Sequence, residues 1–382
     1  MNFRDRLFPR LAVAAALLLL LVAPSNLATA ESLGAWTSTT GYSSLSGVSC
    51  VTLSADIYCV GGFGGGGKSH NQVDYGTLGA SGIGGWSSTT AYPTAIDSAS
   101  CVNATSGVYC VGGEDGTTVL DDVYYASATS SGLGPWSSEA AYPNALAAIS
   151  CVAYSAYVYC VGGFDSNGDE TSSTYYASIS SGLTSWTGTT QYPLVVDSTS
   201  CNVYGGDIYC VAGETLNGSN QNSPISQVYY APLSPSGIGQ WTAAVSYPTS
   251  LAAPACAAYS GYVYCVGGFD SNQYSSTDAY YGALTSTGVT SWSNATPYPI
   301  AIDTSTCVAH QGYVYCLSGT SDTKSGKGIV GSAYYAQVSG VTTTSTTPEF
   351  PTSAAIPITL ALGLLAVAGM LRVKWQKTGS RT

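Results

Sequence analysis

The sequence predicts an all-β fold built from six repeats of about 50 residues. Twelve cysteines occur as pairs nine residues apart, and the pairs recur every 50 to 55 residues. Six tryptophans recur at a similar interval. A period near 50 residues is typical of propeller blades, so we expect a six-bladed β-propeller. The cysteine pairs are Cys50–Cys59, Cys101–Cys110, Cys151–Cys160, Cys201–Cys210, Cys256–Cys265 and Cys307–Cys316.

Each repeat is predicted to form four short strands. In the third repeat they are CVAY at 151–154, YVYCV at 157–161, STYYAS at 173–178 and SWTGTTQYP at 185–193. β-branched and aromatic residues favour strands, and segments rich in Gly, Ser and Asn separate them. We therefore expect four-stranded antiparallel blades.

This repeat resembles the kelch repeat, in which a hydrophobic strand ends in Gly-Gly and is followed by a Tyr-bearing strand and a Trp. Repeats 4 and 6 depart from it with Ala212-Gly213 and Ser318-Gly319, and the cysteines are an addition. The resemblance covers residues 31–340 and implies a kelch-like propeller. Gly-Gly occurs at 61–62, 112–113, 162–163 and 267–268.

The two ends of the repeat array predict how it closes. Trp36 precedes the first strand of any repeat, whereas the Tyr-Tyr strand at 332–338 has no Trp after it. Residues 31–41 are therefore expected to supply the fourth strand of the sixth blade. Closure of this kind leaves no free sheet edge at the seam.

The cysteines are predicted to form one disulfide within each blade. In a hairpin with its turn midway between them, Cys151 and Cys160 face each other on neighbouring strands, within reach of a disulfide. Zinc is disfavoured because C-x8-C is not a zinc spacing and the chain has only two histidines.

Both ends of the chain carry membrane-targeting patterns. Three arginines, an apolar run at 11–22 and Ala28-Thr29-Ala30 predict a secretory signal peptide over residues 1–30. The apolar stretch 352–371 is long enough for a transmembrane helix, and the basic residues of 372–382 predict a cytoplasmic tail. Residues 31–340 are then expected outside the cell.

Residues 341–351 form a Thr/Ser/Pro linker that contains Pro348, Glu349 and Phe350. This triplet, the apolar stretch and the basic tail, in that order, resemble the archaeal PEF-CTERM sorting signal. The resemblance implies a sortase-like membrane protease that cuts near the triplet and exchanges the helix for a lipid. A plain C-terminal anchor is the alternative, and both predict a membrane-anchored protein at the cell surface.

Charge argues against nucleic acid as a partner. Residues 31–340 contain only three basic side chains, Lys68, Lys324 and Lys327, and phosphate binding needs basic groups. Charged residues make up 8% of the chain, so Ser, Thr, Gly and Tyr must supply the polar surface. Asn-x-Ser/Thr sequences predict glycosylation at Asn103, Asn217 and Asn294.

The repeats alternate at two positions, which we call the ring positions: four residues before the first Cys and four after the second. Odd repeats combine a small residue with Phe, and even repeats combine Asp with Glu, except that Thr320 and nearby Asp322 replace Glu in the sixth. Both positions are expected at the same end of the inner strands, around the mouth of a central channel. The first ring position holds Ser46, Asp97, Ala147, Asp197, Ala252 and Asp303; the second holds Phe63, Glu114, Phe164, Glu214, Phe269 and Thr320.

The ring positions give the candidate ligand-binding residues. Carboxylates accept hydrogen bonds from sugar hydroxyls, and aromatic faces stack on sugar rings. We therefore expect an adhesin or another binding module that recognises glycans or surface proteins. The candidates are Asp97, Asp197, Asp303, Glu114, Glu214, Phe63, Phe164 and Phe269.

Two alternatives stay open. A carbohydrate-active enzyme would use carboxylates about 5 to 9 Å apart at the mouth. A structural coat protein would bury the Asp, Glu and Phe side chains and satisfy them within the propeller. We assign no catalytic residue, because His70 and His310 are expected on opposite faces.

Residues 165–170 resemble part of a calcium-binding loop. Asp165, Asn167 and Asp169 offer oxygens at alternate positions, which suits Ca²⁺. The pattern lacks the distal acid of a complete calcium loop, so a hydrogen-bonded turn is the alternative. No other cofactor is expected.

Overall fold

The computed structural model describes residues 32–339, with the exception of residues 105 and 217–221. Within these ranges the chain is all-β, and it forms six antiparallel sheets of four or five strands and one three-stranded sheet. We number the six larger sheets 1 to 6 by the repeat that supplies their first strand.

The strands have the following bounds. Sheet 1 contains Ser49–Leu53, Asp56–Val60, Val73–Gly79, Gly82–Ile83 and Ser87–Ser88. Sheet 2 contains Ser100–Ala104, Gly107–Val111, Val123–Thr129 and Gly132–Ser138. Sheet 3 contains Ser150–Tyr154, Tyr157–Val161, Thr174–Ser178 and Thr187–Gly188. Sheet 4 contains Ser200–Tyr204, Asp207–Leu216, Asn222–Ser234, Gly237–Ile238 and Thr242–Ala243. Sheet 5 contains Ala255–Tyr259, Tyr262–Val266, Ala279–Thr285 and Gly288–Asn294. Sheet 6 contains Thr306–His310, Tyr313–Thr323, Gly326–Ser339, Ser32–Leu33 and Thr37–Ser38. The three-stranded sheet contains Leu45–Ser46, Phe63–Gly64 and Lys68–Ser69.

The first described strands complete sheet 6. Ser32–Leu33 and Thr37–Ser38 both pair antiparallel with Gly326–Ser339, the pairing predicted for residues 31–41. Trp36 lies between the two short strands, and its indole Nε1 donates a hydrogen bond to the carbonyl of Thr296, 2.9 Å away. The two ends of the described chain therefore lie in one sheet.

The first strands of the six sheets adjoin one another in chain order, and that of sheet 6 contacts that of sheet 1. Together they line a cavity of about 360 Å³. Serine hydroxyls join neighbouring first strands: Ser49 Oγ, for example, accepts a hydrogen bond from the backbone N–H of Cys101 at 2.8 Å. Ser100, Ser150 and Ser200 do the same for the next sheet. The arrangement is propeller-like.

The hydrophobic core lies between neighbouring sheets. The tyrosine of each Tyr-Pro or Tyr-Ser turn packs against the tryptophan of the following repeat; Tyr142 and Trp186, for example, have ring centroids 4.9 Å apart in an edge-to-face arrangement. Such pairs stabilise by about 0.5–1.5 kcal/mol beyond burial alone. The remaining pairs are Tyr42–Trp86, Tyr92–Trp136, Tyr192–Trp241, Tyr247–Trp292 and Tyr298–Trp36.

All six predicted disulfides are present, one in each of sheets 1 to 6. In every pair the two cysteines lie directly opposite each other on the first and second strands; Cys151 faces Cys160, for example. Each bridge therefore joins the two innermost strands of its sheet.

The second glycine of the Gly-Gly step has a conformation that only glycine adopts easily. Gly213 has a φ of 122°, and a Cβ there would lie 2.8 Å from the carbonyl oxygen of Asp197. The preceding residue is left-handed, with φ of 55° at Ala212 and 54° at Ser318, a region that L-residues tolerate at some strain. This difference explains why only the second glycine occurs in all six repeats.

Within the described residues no helix is long and apolar enough to span a membrane. The predicted signal peptide, the linker with Pro348, Glu349 and Phe350, the predicted transmembrane segment 352–371 and the basic tail all lie outside the described residues.

Candidate mouth site

The two ring positions of each repeat lie side by side. In every repeat the two positions form an antiparallel bridge, and the backbones of Asp97 and Glu114 exchange two hydrogen bonds of 2.9 Å. The bridges lie beyond the Gly-Gly steps, at the end of the sheets opposite the turns between first and second strands. We call these the mouth end and the turn end. The other bridges are Ser46–Phe63, Ala147–Phe164, Asp197–Glu214, Ala252–Phe269 and Asp303–Thr320.

The three ring aspartates are buried and hydrogen-bonded. Asp97, Asp197 and Asp303 are only 4–5% exposed. Ser69, from the preceding repeat, donates its hydroxyl hydrogen bond to Asp97, and Ser275 donates one to Asp303 in the same way. These two aspartates therefore tie together the mouth loops of neighbouring repeats.

Ring carboxyls interact directly with each other in sheet 2. The side chains of Asp97 and Glu114 are hydrogen-bonded, and burial raises the pKa of both. The negative charge of Asp97 raises the pKa of Glu114 further. Because two neighbouring carboxylates repel each other, such a pair holds a shared proton more tightly than isolated side chains do.

Glu170 is a buried carboxyl that the sequence analysis did not select. Its position is equivalent to those of Ser69 and Ser275, because each of the three residues forms a β-bridge with the ring phenylalanine of its own repeat. Glu170 is 7% exposed, and its Oε2 accepts a hydrogen bond from the backbone N–H of Leu216 at 2.6 Å. Burial, followed by the charges of Asp197 and Glu214, raises the pKa of Glu170 to about 7. Burial raises the pKa of Asp197 to about 6.

These raised pKa values predict that the protein is more stable at pH 5 than at pH 8. The folded chain holds protons that the unfolded chain has already released, so this stability is present below the ordinary carboxyl pKa and is lost as the pH rises through 6 and 7. Asp197, with a pKa of about 6 against 3.8, accounts for about 1.4 kcal/mol of the change between pH 5 and pH 8. Denaturant unfolding at both pH values measures it.

The matched variant is Glu170→Ser, which installs the residue found at the equivalent positions 69 and 275. Removing one of the buried carboxyls should make the difference in unfolding free energy between pH 5 and pH 8 smaller. An unchanged difference would show that these carboxyls are not its source.

The ring phenylalanines are half-buried and reach the mouth end. Phe63 of repeat 1 and Phe269 of repeat 5 line a pocket of about 350 Å³ together with the mouth end of sheet 6. Sheet 6 contributes Thr320, Asp322 and Lys327 to its wall. The pocket therefore combines aromatic surface with hydroxyl, carboxylate and ammonium groups. We call it the sheet 6 pocket.

The loop around Asp165 is held by its own hydrogen bonds. Asp165 Oδ1 accepts hydrogen bonds from the backbone N–H groups of Asn167 and Asp169, at 2.8 and 3.0 Å, which lower its pKa. Asp270 makes the same contacts in repeat 5. In the described part of the chain no three His, Cys, Asp or Glu side chains are placed to hold a metal ion. Calcium binding by Asp165, Asn167 and Asp169 stays a prediction.

The predicted glycosylation sites differ in their surroundings. Asn294 is exposed at the end of the outermost strand of sheet 5. Asn103 is exposed, but its side-chain amide donates a hydrogen bond of 3.1 Å to the carbonyl of Thr52, and both residues line the cavity between the first strands. Asn217 lies outside the described residues.

Comparison with known proteins extends to the fold alone. No family model matches the chain, and no curated protein matches it. Among solved structures, one described as "Structure of YjhT" aligns with a TM-score of 0.60 and 12% identity. The alignment covers 75% of this chain and 93% of that protein. The arrangement of strands therefore recurs in a solved protein.

Proposed function

We propose that the six sheets form one closed, six-bladed, kelch-like propeller that acts as a cell-surface module for recognising glycans. The cyclic order of the first strands supports closure, as does the strand pairing between residues 32–38 and 326–339. Tyr315 adds a hydrogen bond from its hydroxyl to the carbonyl of Gly79, which joins sheet 6 to sheet 1.

The sheet 6 pocket is the observation that carries this proposal. At about 350 Å³ it falls at the small end of the range of about 300–1,000 Å³ for small-molecule sites. The half-buried phenylalanine rings provide flat apolar faces that can stack on a sugar ring. Nearby hydroxyl, amide and carboxylate groups offer both donors and acceptors to sugar hydroxyls.

The aspartates have a supporting role in this proposal. Because Asp97, Asp197 and Asp303 are buried, they position the mouth loops, while Phe63, Phe269 and the exposed polar side chains of the sheet 6 pocket contact the glycan. The same burial favours a structural coat protein as a second candidate function, since that reading requires satisfied ring carboxyls. The hydrolase alternative would use the ring carboxyls, of which Asp97, Asp197 and Glu214 are only 4–7% exposed.

The proposed location is the outer surface of the cell membrane. Six disulfides suit an oxidising compartment. The sequence patterns at 1–30 and 341–382 supply the proposed export signal and membrane anchor, with a sortase-like processing enzyme as the proposed partner of the Pro348-Glu349-Phe350 triplet.

A glycan array probed with the oxidised full-length protein tests the proposed function. We expect binding that the triple variant Phe63→Ala/Phe164→Ala/Phe269→Ala loses without a change of fold. Tyr204→Ala is the matched control, because Tyr204 is 41% exposed and lies at the turn end. A parallel array with EGTA tests whether calcium contributes. Absence of binding to every glycan would leave the coat-protein function as the better explanation.

A further inference from the structure

We infer that the mouth end contains a single sugar site, the sheet 6 pocket, and that this site takes one neutral pyranose ring. The inference rests on the proposed function and adds the number of sites and the class of ligand. Three features of the described residues support it: broken symmetry at Thr320, a strained Gln273 and a compensated charge at Lys327.

The first feature is a difference among the three even-numbered sheets. Each of sheets 2, 4 and 6 lies between two odd-numbered repeats, and every odd-numbered repeat carries a ring phenylalanine. Sheets 2 and 4 place Glu114 and Glu214 at their second ring position, next to Asp97 and Asp197. Sheet 6 has the shorter Thr320, whose hydroxyl accepts a hydrogen bond from Thr304 at 3.3 Å. Because Thr320 is shorter than the glutamates of sheets 2 and 4, space remains between Phe63 and Phe269, which line the sheet 6 pocket.

The second feature is backbone strain at the pocket wall. Gln273 has a φ of 63°, in the left-handed region. The equivalent loop of repeat 3 has Gly168 there, with a φ of 79°. Gln273 lines the pocket, and its side-chain amide makes no hydrogen bond with the described residues. Strained residues of this kind cluster at binding sites, and an amide offers both a donor and an acceptor to vicinal hydroxyls.

The third feature is the charge of the lining. Lys327 is the one basic residue among those that line the pocket, and its Nζ lies 3.1 Å from Asp322 Oδ2. Asp322 is 19% exposed and is held in place by hydrogen bonds of 2.7 Å between its backbone and Ser275. The positive charge is therefore already compensated, and buried Asp303 adds a further carboxyl. The lining thus carries two carboxyls against one ammonium group, which disfavours an anionic sugar, whereas a neutral one can hydrogen-bond to both members of the ion pair.

Titration of the oxidised full-length protein with methyl glycosides of glucose, galactose and mannose tests the inference. Saturation-transfer NMR detects binding, and calorimetry gives Kd and stoichiometry. We expect one site per chain and a Kd about tenfold weaker in Phe63→Ala and in Phe269→Ala. Phe164→Ala is the matched control, since Phe164 does not line this pocket, and its Kd should be unchanged.

Two further variants separate binding from folding. Thr320→Glu installs the residue of sheets 2 and 4 and should abolish binding by filling the pocket. Gln273→Gly should weaken binding while the melting temperature stays equal or rises, because glycine relieves the left-handed strain. A merely structural Gln273 would leave Kd unchanged.

The outcomes distinguish this inference from the proposed function. Equal losses in all three phenylalanine variants, or three sites per chain, would overturn the single site and leave glycan recognition at the mouth intact. Tighter binding of methyl glucuronide than of methyl glucoside would overturn the neutral ligand class. If neither the array nor these glycosides bind, both the proposed function and the inference fail.

Discussion

Replacing Cys151 and Cys160 together by alanine should lower the free energy of unfolding by about 2.7 kcal/mol, the chain-entropy value for a loop of about ten residues. The six bridges lie in separate sheets, so their contributions should add. Together they amount to about 16 kcal/mol, whereas a whole domain is typically stable by about 5–15 kcal/mol. Complete reduction is therefore expected to unfold the chain.

Denaturant unfolding of the double variant and near-UV circular dichroism of the fully reduced protein measure these two effects. The control is the oxidised protein carried through the same buffers without reductant. A reduced protein that keeps its near-UV spectrum and its unfolding midpoint would show that the strand packing alone suffices.

Gly213→Ala should lower the free energy of unfolding by about 3 kcal/mol. Gly213 has a φ of 122°, and its new Cβ would lie 2.8 Å from the Asp197 carbonyl oxygen and 3.0 Å from a methyl carbon of Val196. These neighbours belong to the packed mouth end of sheet 4, so the strain cannot be relieved by moving an exposed side chain. Chemical denaturation followed by tryptophan fluorescence measures the loss.

Two matched variants show that the loss comes from this backbone position. Gly85→Ala adds a methyl group that meets nothing within 4 Å, and it should change stability by less than about 0.5 kcal/mol. Ala212→Gly alters the neighbouring residue, whose left-handed φ of 55° glycine adopts freely. A loss at Gly213 no larger than that of Gly85→Ala would refute the conformational argument.

The sequence predicts the inner strands well because the spacing of the cysteines and the pattern of apolar residues both indicate them. Cys151 and Cys160 face each other in the structure, and Val152, Val158 and Tyr159 between them are buried. The outermost strand is less well predicted: the segment 185–193 contains only Thr187–Gly188 as a strand. Its side chains are mainly exposed, so strand propensity is not reinforced there by burial.

The candidate site was predicted in part. Spacing from the cysteines predicts that Asp97 and Glu114 lie at the same end of the inner strands, but it carries no information on burial, which depends on the loop of the preceding repeat. Glu170 was missed, although Ser69, Glu170 and Ser275 all lie ten residues after the second Cys of an odd repeat. The sheet 6 pocket was not predicted as a whole, because it joins Phe63 to Thr320 across more than 250 positions of sequence.

The pairing of the first and last described strands in sheet 6 also determines where an attached anchor would leave the molecule. Ser32 and Ser339 are hydrogen-bonded through their hydroxyls at 2.8 Å, and the backbone of Val338 bonds to Gly312 in the first-to-second-strand turn. Both chain ends of the described region thus emerge together at the turn end, while Phe63 and Phe269 lie at the mouth end. A support attached beyond Ser339 would hold the protein at its turn end and leave the sheet 6 pocket, at the mouth end, facing away from the support.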